Sequence, residues 1–108
     1  MAQFDDREKS FEQKYKHDKE LEFKINARRN KLLGLWVAGE MGLAGEAADA
    51  YAMTVVMSDF DRPGDDDVVQ KIMSDCAAKA VAMNEHRLRK HMAELLALAR
   101  DQLMKDMK

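Results

Sequence analysis

The sequence predicts an all-α fold, a compact four-helix bundle with a partly disordered N-terminal segment, and three observations carry that reading. Charged residues make up 35% of the chain and aromatics only 6%, with nine Met and a single Pro, a composition rich in helix formers. Large apolar residues recur at helical spacing along most of the chain. Glycine-rich and aspartate-rich breaks separate the periodic stretches. A chain of 108 residues supports one domain with a modest core, not two.

The first stretch is the least core-like. From Asp5 to Lys24, 13 of 20 residues are charged, and only Phe11, Tyr15, Leu21 and Phe23 are large and apolar. Phe4, Phe11 and Tyr15 stand at i, i+7 and i+11, which is one helical face, but Asp18 and Glu22 occupy the next two places on it. Fixing the backbone costs about 1–2 kcal/mol per residue, and three aromatics without an enclosing groove do not offset that. Residues 1–20 therefore read as disordered or transiently helical when free and helical against a partner, and residues 21–108 as the bundle.

The bundle opens with a helix over Leu21 to Val37, apolar at 21, 25, 32, 33, 35 and 36 with Ala27 and Ala38, and with Arg28, Arg29 and Lys31 on its wet side. Trp36 closes that helix as an anchor against the second and last helices. Glycines at 34, 39, 42 and 45 mark the helix end and a corner near 39–45. They do not form a phosphate loop, since no Gly-Lys-Ser/Thr follows and no strand precedes them. The second helix is expected over 44–58, with Ala47, Ala48, Tyr51, Ala52, Val55 and Val56 inward. Residues 59–67, DFDRPGDDD, end it: Pro63-Gly64 is turn chemistry, and Asp65 or Asp66 caps the next helix. The five aspartates there lack the twelve-residue ligand alternation and closing Glu of a calcium loop.

A third helix is expected over 66–82, with Val68, Val69, Ile72, Met73, Cys76, Ala77 and Ala80 on its inner side. Asn84 then caps a last helix carrying Leu88, Met92, Leu95, Leu96, Ala99 and Leu103. Short connections favour antiparallel neighbours, and the length of the last stripe places that helix at the centre of the packing.

Charge and motif content exclude several functions. The net charge is −2 and each half carries 9 basic and 10 acidic residues, which does not invite nucleic acid or anionic lipid. No apolar run of eighteen residues and no targeting segment is present, so direct membrane insertion is not expected. One cysteine, Cys76, makes no internal disulfide and fits a reducing cytoplasm. His86 and His91 are five apart on different helix faces, and there is no HExxH, CxxC or Ser/His/Asp order. The chain reads as non-enzymatic, with no catalytic or metal residues, and as a monomer when free. Arg28, Arg29 and Lys31 with Arg87, Arg89 and Lys90 form the one candidate anion surface, without interleaved aromatics.

Five blocks carry a family resemblance: FDDREKSFEQKYKHDKELEFK at 4–24, ARRNKLLGLWVA at 27–38, GEAADAYA at 45–52, DFDRPGDDDV at 59–68 and NEHRLRKHM at 84–92. Together they resemble the zeta inhibitor subunit family of alphaproteobacterial F-type ATP synthase over essentially the whole chain. The resemblance implies a four-helix protein that binds the catalytic sector of the synthase at its cytoplasmic membrane face and blocks ATP hydrolysis. It further implies that the N-terminal segment inserts between the catalytic alpha and beta subunits and meets the gamma rotor, acting as a ratchet. On this chain the contacts fall on Phe4, Phe11 and Tyr15 as apolar anchors and on Asp5, Asp6, Arg7, Glu8, Lys9 and Lys14 as polar partners. No cofactor is implied. The alternatives are a regulator that takes ATP or ADP weakly on its arginine-rich helix faces, and an adaptor without effect on turnover.

Overall fold

A computed structural model of the chain describes the backbone of residues 2–61 and 64–106 and the side chains of residues 19–61 and 64–106. Four helices follow one another: α1 over Ala2–Glu40, α2 over Gly45–Asp61, α3 over Asp65–Ala78 and α4 over Glu85–Asp106. No strand occurs among the described residues, as the composition predicts. The side chains of residues 1–18, on which the expectation of a partly disordered segment falls, lie outside the described set. The α1 backbone passes residue 20 without interruption, as one helix of 39 residues. At 1.5 Å per residue it spans about 58 Å, which accounts for most of the molecule's 65 Å length beside widths of 26 and 22 Å.

The helix at the centre of the packing is α1, not the last one. It runs along α2 on one side and α4 on the other, whereas α3 rests mainly on α2. Both of its neighbours are antiparallel to it: Phe23 meets Phe60 while Gly34 meets Ala52, and Arg28 reaches Asp106 while Arg87 reaches Glu40. Length of stripe misled the sequence reading here, because α1 packs extensively on both α2 and α4, whereas α4 packs mainly on α1 and only lightly on α3. Leu33 and Val37 of α1, Val55 of α2, Val68 and Ile72 of α3 and Leu88 of α4 are fully buried in one shared core.

The glycines play different parts. Gly34 and Gly39 do not end α1; both lie inside it, and the helix reaches Glu40. At Gly34 a β carbon would stand 2.5 Å from the Ala52 Cα and 3.3 Å from its carbonyl oxygen, so the two helices cross backbone against backbone. Ala48 and Ala52 are the buried alanines of α2, and Ala47, expected inward, is exposed. Termination belongs to Gly42, whose φ of +81° is left-handed. Around it the Leu43 N–H donates to the Ala38 carbonyl at 2.8 Å and the Gly42 N–H to that of Gly39 at 3.1 Å, the paired closure that satisfies the last carbonyls of a helix.

The remaining connections explain the shifted boundaries. The second helix runs three residues beyond the expected Ser58, and the Asp59 carboxylate accepts the Gly64 N–H at 3.3 Å. Gly64 occupies the N-cap position of α3 without a side-chain cap, so neither Asp65 nor Asp66 caps it; both, with Asp67, sit in its first turn, opposite the unpaired charge of the helix dipole. The third helix stops at Ala78 instead of 82, closed by Val81 N–H on the Cys76 carbonyl at 2.8 Å and Ala80 N–H on that of Ala77 at 3.1 Å. Ala80 takes the left-handed φ of +56° usually left to glycine, and Ala77 and Ala80 are exposed, not inward. Asn84 does cap α4: its Oδ1 accepts the N–H groups of His86 at 2.8 Å and Arg87 at 3.2 Å.

Gly34 and Gly39 lie in the same helix and are expected to respond oppositely to alanine. Gly34→Ala forces α1 and α2 apart and should destabilise by about 1–3 kcal/mol despite alanine's higher helix propensity. Gly39 has nothing within 4 Å of its missing β carbon, so Gly39→Ala should stabilise by up to about 1 kcal/mol. Urea unfolding of both variants reads the difference; equal shifts of one sign would contradict the close crossing.

Candidate partner-binding site

All nine residues assigned to partner contact, Phe4, Asp5, Asp6, Arg7, Glu8, Lys9, Phe11, Lys14 and Tyr15, belong to α1. Their side chains lie outside the described residues, and the placement that follows is one of backbone register alone. On a continuous helix at about 100° per residue, positions 4, 11 and 15 fall within an arc of about 40° and along a length of about 16 Å. The structure brings that register onto the same helix that forms the centre of the bundle.

What fixes the segment is the way α1 is held from residue 23 onward. Phe23 makes an edge-to-face contact with Phe60 of α2, ring centroids 4.9 Å apart, and Ile25 is the first described side chain of α1 to be buried. Arg28 then donates to Gln102 Oε1 at 3.3 Å and to Asp106 Oδ2 at 3.4 Å, tying α1 to the end of α4.

Arg29 departs most from the sequence reading. It was placed on the wet side; it is 2% exposed, its Nη2 donating to Asp65 Oδ1 at 2.9 Å and its Nε to Asn30 Oδ1 at 3.1 Å. Asn30 is equally buried and its Nδ2 has no partner among the described residues. The reason is register. Residue 29 lies four places after Ile25 and four before Leu33, on the core stripe, and its long stem packs there while the guanidinium meets a carboxylate at the edge.

The third tie lies at the far end of α1. Trp36 is half-buried; its indole packs on the His91 ring with centroids 4.0 Å apart, and the Arg87 guanidinium lies 5.5 Å from the ring centre. Its named contacts are thus with α4, and His91, expected at the surface, is half-buried against it with Nδ1 3.5 Å from a Glu94 oxygen. Four arginines of the candidate anion surface are engaged by the chain's own carboxylates: Arg28 by Asp106, Arg29 by Asp65, Arg87 by Glu40 and Arg89 by Asp66. An anion would have to displace those partners.

The Cys76 thiol and the Tyr51 hydroxyl are both held toward their neutral forms. Burial pushes the Cys76 thiol up, and the Asp75 and Glu40 carboxylates push it further, which disfavours the thiolate. The Tyr51 hydroxyl is likewise raised by burial and by donating to Asp75 Oδ2 at 2.9 Å. No cluster of three or more potential metal ligands forms among the described residues. No helix among them is long and apolar enough to cross a membrane.

Comparison with known proteins gives a family and a similar solved structure. A family model described as ATPase inhibitor subunit zeta matches residues 1–102. A solved structure described as the solution NMR structure of the protein is similar at 43% identity, covering 80% of this chain and 98% of its own, with a TM-score of 0.70. No curated protein matches.

The Arg29–Asp65 pair is unequally exposed, 3% against 59% at the side chains, and its two halves should not be equivalent. Asp65→Ala leaves a buried cation without its carboxylate and is expected to destabilise by about 2–3 kcal/mol, whereas Arg29→Met fills the stem's volume and leaves a carboxylate that water solvates, at about 1 kcal/mol. Thermal or urea unfolding compares them; a larger loss for Arg29→Met would mean that packing of the stem, not the charge, dominates.

Proposed function

The chain belongs to the ATPase inhibitor subunit zeta family, and from that premise we propose that it inhibits ATP hydrolysis by F-type ATP synthase through the front half of α1. The segment enters the catalytic interface between an alpha and a beta subunit and stands against the gamma rotor, and the bundle stays outside and holds it. Phe4, Phe11 and Tyr15 are its apolar anchors; Asp5, Asp6, Arg7, Glu8, Lys9 and Lys14 face the polar wall of the cleft. The observation that supports this reading most is the continuity of α1: the segment carrying the three aromatics is the same helix that α2, α3 and α4 grip from Phe23 to Glu40.

Each part of that division has a physical reason. Thirteen charges among the residues from Asp5 to Lys24 leave too little apolar surface for the segment to pack on its own body. A groove in a partner supplies the missing surface, and the helix presents its anchors without first paying for order in the anchored half. Rotation in the hydrolysing direction then drives the rotor against a helix that is held at its far end by a folded domain.

Replacing Phe4, Phe11 and Tyr15 together by Ala tests this. The substitutions remove apolar area and leave the charge unchanged, so inhibition of the purified synthase's ATP hydrolysis should fall by roughly thirtyfold in affinity, about 2 kcal/mol, for each anchor that the partner encloses. ATP synthesis should be little affected by the wild-type chain. Undiminished inhibition by the triple variant, or equal inhibition of synthesis and hydrolysis, would overturn the reading.

A further inference from the structure

The bundle carries a second, solvent-exposed apolar surface, at one edge of which Phe60 also meets Phe23 of α1. On α2, Met53, Met57 and Phe60 are 57%, 51% and 56% exposed. They stand at i, i+4 and i+7, so one helix face presents all three to solvent. Met53 and Met57 line an open groove of about 710 Å³ between α2 and α3, flanked by Asp61 and Asp67 and bordered by Lys71.

The charge around that groove is predominantly negative, with Asp61 and Asp67 beside a single Lys71. The 17 residues of α2 contain no basic residue. From Gly45 to Ala78 there are eight acidic residues and two basic ones, a net −6 in a chain whose total is −2. Arg29 and Arg89 offset Asp65 and Asp66, and Lys71 is held by Asp75 at 2.8 Å, so the excess around the groove stays negative. Such a field draws cations toward an apolar floor.

We propose that the α2/α3 groove docks a basic amphipathic helix of a partner protein. Methionine side chains are unbranched and polarisable and adapt to an apolar face laid against them, while the acidic rim pairs with lysine or arginine on the flanks of that helix. The chain does not supply the occupant itself. Its front stretch from Asp5 to Lys24 carries seven acidic and six basic residues, and α4 from Glu85 to Asp106 four acidic and five basic, so neither is the strongly cationic helix that the groove fits. The docking does not depend on the inhibitory reading, because none of its residues lies in the front half of α1.

Methyl NMR on the full chain, labelled at the methionine methyls, tests the proposal with a synthetic amphipathic helix of about 18 residues built from Leu and Lys. Saturable shifts are expected at Met53 and Met57, with the buried Met92 methyl unmoved. A Leu/Glu peptide of the same pattern should leave the spectrum unchanged, and a scrambled Leu/Lys peptide of the same composition should bind on the order of tenfold more weakly. The double variant Met53→Gln, Met57→Gln, whose side chains are exposed and whose folding circular dichroism can verify, should lose affinity on the order of tenfold. Asp61→Asn with Asp67→Asn should weaken binding and flatten its dependence on salt. Equal binding of the scrambled peptide, or an unchanged affinity in the methionine variant, would overturn the proposal and leave only a surface that attracts cations.

Discussion

The crossing of Gly34 over Ala52 sets the spacing on which the rest of the bundle depends. Two helices that meet through ordinary side chains stand about 8–10 Å apart; here the missing β carbon of Gly34 lets the α1 backbone come against the Cα and carbonyl of Ala52. That proximity allows Leu33 and Val37, one residue before and three after the crossing, to join Val55 in a core closed by α3 and α4. Further along, the same two helices leave a pocket of about 200 Å³ between them, bordered by the edge-to-face pair of Phe23 and Phe60. A small domain with few aromatics closes its core at the crossing this way, by shrinking the gap where it lacks bulk to fill it.

Charge does a different job from packing here. The third helix is the shortest, 14 residues, and starts at a glycine that offers no side-chain cap. Its first-turn carboxylates reach outward instead, Asp65 to Arg29 of α1 and Asp66 to Arg89 of α4 at 2.9 and 2.8 Å. The same carboxylates complement the positive end of the helix dipole. The two ion pairs thus locate a helix that has little area against α4, and they spend on internal contacts the arginines that might otherwise have drawn an anion.

Much of this was legible in the sequence because it follows from periodicity. The all-α class, four helices, the buried stripes of Val68, Val69, Ile72 and Cys76 and of Leu88 and Met92, and the Asn84 cap all follow from spacing and residue type. What was not legible depends on which neighbour a position faces. A glycine reads alike whether it ends a helix, as Gly42 does, or admits another backbone, as Gly34 does. Arg29 reads as solvent-facing by its charge, although its register with Ile25 and Leu33 already placed it on the core stripe. Ala80 in a left-handed conformation hides a helix stop behind a residue of high helix propensity, and so the end of α3 was read four residues late. For the candidate site, the positions of Phe4, Phe11 and Tyr15 were readable from the sequence; that they share a helix with the central element of the core was not, since the apolar stripe breaks at Asp18 and Glu22 while the backbone does not.

An unbroken helix also imposes a phase rule on the distance between its two ends. Because nothing in α1 interrupts the winding between the front residues and the grip at Phe23 and Arg28, adding or removing one residue between them turns the front face by about 100° and slides it by about 1.5 Å. Four residues turn it back to about 40° from its starting orientation, and seven to about 20° with a displacement of about 10 Å. Length and orientation therefore cannot vary independently in this stretch. A chain with a flexible joint there would tolerate insertions of any size, whereas this one admits only those that complete whole turns.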